Sequence, residues 1–221
     1  NNNDSDNMGR VNLKFPWLDG DVESDWARVS AVGAGAERGL FWLPEVNDEV
    51  LVAFEHGDFG RPYVIGSLWN GQDEPPEKIG QAVSNGKVKT RTIKTRTGHV
   101  IRLVDDENGD QFIEIIDAAE GTHIKLDAKS KELTIECKGD VSIKADGGIS
   151  LSAQRNIEIK ADGDLSIKGR AVKVEGDTST EVTGGTSLKL KGAQLSAEGD
   201  ATAEFKANVN VIIKGALVQI N

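Results

Sequence analysis

Residues 141–164, VSIKADGGISLSAQRNIEIKADGD, say one eight-residue phrase three times. A fixed period constrains a fold more than any composition, because each repeat must be one structural unit that its neighbours complete. From Leu133 the chain divides into LTIECKGD, VSIKADGG, ISLSAQRN, IEIKADGD, LSIKGRA, VKVEGDTS, TEVTGGTS, LKLKGAQ, LSAEGDAT, AEFKANVN, VIIKGAL and VQIN, mostly eights with three sevens. The third place is always apolar: Ile135, Ile143, Leu151, Ile159, Ile167, Val174, Val182, Leu190, Ala197, Phe205, Ile213 and Ile220. The first place is apolar except at Thr180, the second polar except at Ile212, and the fourth polar throughout. The fifth is always Gly, Ala or Cys.

Strand side chains alternate, so places one, three and five share one face, and that face is expected to be buried. A small fifth residue marks a close approach or a corner. Cys137 occupies that place and reads as a small packed residue. A single-chain β-helix needs roughly twenty residues per coil. Eight residues supply one strand and one corner, a single wall of about 17 Å. One wall encloses nothing, whereas three identical chains wound about a common axis enclose a core and cover each other's edges. The stretch 133–221 would then form a rod of roughly 50 Å. A flat antiparallel meander also alternates. The constancy of length and of the small place favours the intertwined trimer, with Ile143, Leu151, Ile159, Ile167, Val174, Leu190, Phe205 and Ile213 as its core.

The vocabulary changes along the chain. Nine of eleven aromatics and all five prolines precede residue 77, so two differently built bodies are expected. The net charge of −10 disfavours nucleic acid and anionic membrane surfaces as partners. No stretch approaches the ~20 apolar residues of a membrane-spanning helix, and no signal peptide is visible. One cysteine excludes an intrachain disulfide and a cysteine metal cluster.

Residues 9–15, 26–32, 39–43, 48–55 and 62–69 read as short strands of a small barrel. Residues 71–90 read as a polar linker, and 98–117 as a hairpin turning at Asn108-Gly109. The stretches MGRVNLKFPWLDGDVESDWARVSAVGAG, LPEVNDEVLVAFEHGDFGRPYVIGSLWNG and IKTRTGHVIRLVDDENGDQFIEIID closely resemble the spike proteins of contractile injection systems. That family comprises the valine-glycine repeat proteins (VgrG) of type VI secretion, phage tail spikes and spikes of phage-tail-like particles. The resemblance spans essentially the whole chain. It implies an all-β, homotrimeric architecture: an OB-fold barrel over 1–70 lacking its first strand, a linker over 71–95, a β-hairpin transition over 96–132 and an intertwined triple-stranded β-helix over 133–221. It further implies hub and tube proteins on the N-terminal side, a PAAR-repeat tip protein on the C-terminal end, carried effectors, and assembly in the bacterial cytoplasm before secretion or release in an extracellular particle. Residues 71–90 are too short to hold the lysozyme domain that some members carry between barrel and helix. Because the hub domain that precedes the barrel in many members is absent and the chain opens on Asn1 just before the GRV motif, it is expected to be a C-terminal piece of a longer spike.

No catalytic, cofactor or metal site is expected. His56 beside Asp58 is a turn, and His99 and His123 stand alone in β-patterned segments. No His-x-His pair that could hold iron at a tip occurs. Residues 105–110, DDENGD, lack the glycine and distal glutamate of a calcium loop and read as a hairpin tip. The fourth-place lysines alternate with Glu136, Glu175 and Glu198, which suits mixed surface pairing. Ile212 breaks the polar second place, and Leu217 puts an apolar group in a corner; with Val218, Gln219, Ile220 and Asn221 they form the expected tip-docking platform. Two functions compete: a non-enzymatic puncturing spike, and a trimeric fibre that binds or degrades polysaccharide. The second needs exposed aromatics and positioned carboxylates, and the repeats offer only Phe205, at an inward place.

Overall fold

The computed structural model describes residues 1–18 and 22–220. The chain forms two units, Asn1–Gly148 and Ile149–Asn221. It is nearly all β; among the described residues the helical turns are α1, Ile79–Ala82, and a 3-10 turn, Glu55–Gly57.

The first unit opens with a four-stranded sheet of β1 (Arg10–Val11), β2 (Ala27–Val29), β3 (Val50–Phe54) and β4 (Pro62–Ser67), in the order β1-β2-β4-β3. β2 and β4 run parallel, and the other pairs are antiparallel. Alternation turns Val64 of β4 inward, where it is fully buried with Val11, Leu13, Phe15 and Ala27. Val29 and Val52, its neighbours on β2 and β3, complete that core. Residues 39–43, read from the sequence as a strand, are not one. Gly39, at φ 135°, turns the chain back on itself so tightly that a Cβ there would lie 2.6 Å from the Gly33 carbonyl oxygen. Leu40, Phe41 and Trp42 are left exposed.

The segment read as a polar linker is structured in its second half. After α1 come β5 (Val83–Ser84) and β6 (Lys87–Val88), joined by Asn85 and Gly86, both at positive φ (52° and 74°). That Asn-Gly pair is the mirror-image turn a two-residue hairpin requires. A five-stranded antiparallel meander follows: β7 (Thr90–Lys94), β8 (Val100–Asp105), β9 (Gln111–Ile116), β10 (Thr122–Asp127) and β11 (Glu132–Cys137). DDENGD is the tip of the β8–β9 hairpin, as the sequence indicates, but Asn108-Gly109 does not form the tight two-residue turn that this dipeptide favours. Instead a five-residue loop follows the Asp105–Gln111 pair, and neither Asn108 nor Gly109 has positive φ. The Asp106 carboxylate accepts the Asn108 N–H at 3.1 Å, and the Asp106 carbonyl accepts that of Gly109. A side chain closes this turn in place of an αL backbone.

In the second unit, residues 149–218 form no strand, and no backbone N–H in them donates to a backbone carbonyl among the described residues. The chain is extended, with a bend at the sixth place of every repeat from 149 to 217. The same bend closes the two repeats from 133 to 148 in the first unit. The corners expected from sequence are therefore bends of the chain.

Candidate functional site

The fifth place shows why it is small. In the seven-residue repeats a Cβ on Gly169, Gly192 or Gly215 would sit 3.2, 3.0 and 3.1 Å from the carbonyl oxygens of Ala171, Gln194 and Leu217. In the eight-residue repeats, Cβ atoms on Gly176, Gly184 and Gly199 would overlap the carbonyl oxygens of Ser179, Ser187 and Thr202, the last at 2.6 Å. In all six cases the repeat's closing carbonyl folds back over the fifth place.

Five extended residues and a corner carry an apolar stripe with nothing over it. Ile143, Leu151, Ile159, Ile167, Val174, Leu190, Phe205 and Ile213 are between 65% and 77% exposed. The described tip-platform residues Ile212, Leu217, Val218 and Ile220 are exposed as well; Asn221 lies outside the described residues. Each valine, leucine or isoleucine side chain left in water forgoes about 1.5–3 kcal/mol of burial, and the extended backbone leaves its polar groups to water or another chain.

The five-stranded sheet of the first unit has the same character on one face. Ile93, Ile101, Ile115, Ile124 and Ile135 are paired in register across all five strands, as one row of isoleucines. The next row is Arg91, Leu103, Ile113, Leu126 and Leu133. Leu103, Ile113, Leu126 and Leu133 help line an open depression of about 830 Å³. Leu133, Ile135 and Cys137 are the first, third and fifth places of the first repeat, so here the repeat face coincides with the sheet face. Cys137 is partly buried, 3.7 Å from the Thr122 hydroxyl.

The opposite face of that sheet carries a polar middle row, Thr92, Arg102, Glu114, Lys125 and Thr134, beside apolar Val100, Val104, Phe112 and Ile116. Arg102 donates to Glu77 at 2.9 Å and to the buried Glu114 at 2.5 Å. His123 Nε2 is 3.0 Å from the other Glu114 oxygen. Burial acts to raise the pKa of Glu77, but hydrogen bonds from Thr92 and Arg102 outweigh it, and the net shift is downward. This cluster fastens the segment before α1 to the sheet. Sequence reasoning missed it, because Glu77, Arg102, Glu114 and His123 lie far apart in the chain and only strand register gathers them.

The other polar candidates occupy structural places. His56 has φ 52° in the 3-10 turn, where Arg61 bridges Glu55 and Asp58 at 3.5 and 3.7 Å. His99 Nδ1 accepts the Ala118 N–H at 3.1 Å. In DDENGD, Asp106 and Glu107 pair with Lys89 and Lys87 at 2.5 and 2.6 Å. At the N-terminus the Asp4 carboxylate accepts the N–H groups of Asp6, Met8 and Arg10 and a bidentate Arg10 guanidinium. Among the described residues, no three His, Cys, Asp or Glu side chains gather as a metal site. Among the described residues, no helix is long and apolar enough to cross a membrane.

This geometry offers two exposed apolar faces, one paired in rows across five strands and one set by the period of the repeat. Residues 1–69 match the type VI secretion system/phage-baseplate injector OB domain. The type VI secretion system spike protein VgrG1a of Pseudomonas aeruginosa is 30% identical over 115 residues, covering 49% of this chain and 18% of the relative. The actin cross-linking toxin VgrG1 of Vibrio cholerae is 25% identical over 158 residues, 66% of this chain and 14% of the relative. VgrG3, a type VI secretion system spike protein of the same species, is 27% identical over 112 residues, 49% of this chain and 11% of the relative. The chain thus spans less than a fifth of these relatives. It is similar to VgrG-type spike proteins of type VI secretion, as its motifs implied.

Proposed function

We infer that three copies of this chain wind into a non-enzymatic spike that punctures a target envelope. The observation that carries this reading is the unbroken apolar stripe from Ile143 to Ile213, exposed on an extended chain whose backbone pairs with nothing of its own. Three such stripes facing one axis bury each other, and each chain's backbone edge meets the next. In this reading residues 1–70 are the OB-fold barrel and 133–221 the triple-stranded β-helix. Hub and tube proteins adjoin the barrel side. A PAAR-repeat tip protein sits on the end formed by Ile212 and residues 217–221, with effectors as further cargo. The spike assembles in the bacterial cytoplasm and leaves with the fired system or particle.

The test is complementation. In a bacterium whose injection system lacks this chain, wild type and Lys160→Asp should restore killing of a competitor strain, and Ile159→Asp should not. Undiminished killing in the strain without the chain would overturn the reading.

A further inference from the structure

Two neighbouring turns of the five-stranded sheet are joined by a ring nitrogen. Residues 95–99 connect β7 to β8 and residues 117–121 connect β9 to β10, at the same end of the sheet. The first turn is fixed from within. The Thr95 N–H donates to the His99 carbonyl and the Gly98 N–H to the Thr95 carbonyl, both at 3.0 Å, and the His99 N–H donates to the Thr95 hydroxyl. Across to the second turn, the Ala118 N–H donates to His99 Nδ1 at 3.1 Å. An imidazole can accept there only while it is neutral, because both nitrogens of the charged ring are donors. This contact cannot survive protonation, which for an imidazole falls between about pH 8 and pH 5. His123 differs: it meets the Glu114 carboxylate, which accepts from a neutral or a charged ring alike.

A second partner lies beside the ring. Asp117 precedes Ala118 in the same turn and accepts the Gly121 and Thr122 N–H groups at 2.7 and 2.9 Å. The Thr122 N–H chiefly lowers the Asp117 pKa, and His99 and Lys138 are close enough to add to that effect. The other charged groups of the two turns are Glu120 and Arg96, and the Arg96 guanidinium is 2.8 Å from Glu45. Glu45 belongs to the connection between β2 and β3, so the turn that carries His99 also ties the meander to the first sheet's loops. Trp42 of that connection and His99 line one depression of about 360 Å³.

We propose that His99 is a pH-operated latch between these turns. Neutral, it pins Ala118 and steadies the turn that carries Arg96. Protonated, it releases Ala118 and swings to the Asp117 carboxylate, drawing that group away from Gly121 and Thr122. The Ala118 contact stabilises only the neutral ring, so its contribution is present above the imidazole range and is lost as pH falls through it. This end of the sheet, with its tie to Glu45, is then rigid at neutral pH and loose in mild acid.

The experiment is an amide NMR titration of the deuterated full-length chain from about pH 8 to about pH 5. The Ala118, Gly121 and Thr122 resonances should shift together, with the midpoint of the His99 ring, and the order parameters of residues 95–99 should fall in acid. His99→Asn puts an untitratable amide oxygen near the place of Nδ1, and there all three resonances should stay flat. Asp117→Asn should leave the Ala118 shift and remove those of Gly121 and Thr122, and His123→Gln should behave as wild type. A flat Ala118 resonance in wild type, or an equal shift in His99→Asn, would overturn the latch. A shift of Ala118 alone in wild type would overturn the exchange to Asp117, and unchanged order parameters would overturn the loosening.

Discussion

At the scale of single residues, the repeat is governed by one close approach. In the six repeats with glycine in the fifth place the closing carbonyl returns over it, and in the eight-residue corners of Gly176, Gly184 and Gly199 it leaves no room for a methyl. These glycines are required by space, since none of the three has positive φ. The smallness of the fifth place was legible in the sequence; its cause was not, because the carbonyl belongs to the bend rather than to any side chain. Gly184→Ala should therefore cost roughly 1–3 kcal/mol per chain, the usual range for an added core methyl. Gly192→Ala, whose Cβ would lie 3.0 Å from the Gln194 carbonyl, should cost clearly less. Thermal melts compare the two, and equal shifts would show that the closing carbonyl does not set the fifth place.

At the scale of elements, the five-stranded meander is tied at three of its four turns by an aspartate. Asp106, Asp117 and Asp127 each follow or end a strand and accept N–H groups of their own turn. The Ser130 N–H, aided by Lys125, holds the Asp127 carboxyl at about 2. Lys89 lowers that of Asp106, and the Thr122 N–H that of Asp117. Near the N-terminus the Arg10 guanidinium holds Asp4 well below the usual carboxylate range. All four are depressed relative to an unfolded value near ~3.9, so their contribution is complete above that pH and is lost as pH falls through the folded values. The first unit should lose thermal stability between about pH 4 and pH 2. Asp127→Asn keeps a carbonyl acceptor for the turn and should show a smaller loss across that window; circular dichroism melts at stepped pH measure both, and identical acid profiles would contradict this assignment. The same meander marks where sequence reasoning stops. Its apolar face was readable in part, as alternation over 98–117. β7 was hidden in a polar stretch, since Thr90, Arg91, Thr92 and Lys94 outnumber Ile93. Of the chain's three Asn-Gly pairs, Asn85-Gly86 makes a tight hairpin turn, while Asp106 outcompetes that geometry at Asn108-Gly109.

At the scale of the whole molecule, the proposal is that three copies of the stripe cover one another. Its identity as a face was fully legible, because a period of two within a period of eight is local information. What covers it was not, because covering groups come from beyond the repeat. If three stripes meet on an axis, Ile159→Asp brings three carboxylates together in an apolar core, and a buried unpaired charge is neutralised or unfolds its site. Trimer loss or a large fall in melting temperature should follow, whereas Lys160→Asp, one residue on and facing out, should be nearly neutral. Equal effects of the two would refute the alternation itself. The most direct measurement is the mass in solution. Light scattering on the purified chain at micromolar concentration should return three times the mass of one chain, with no folded monomer. A well-folded monomer would contradict the account at its root, because that chain would be holding its entire apolar stripe in water.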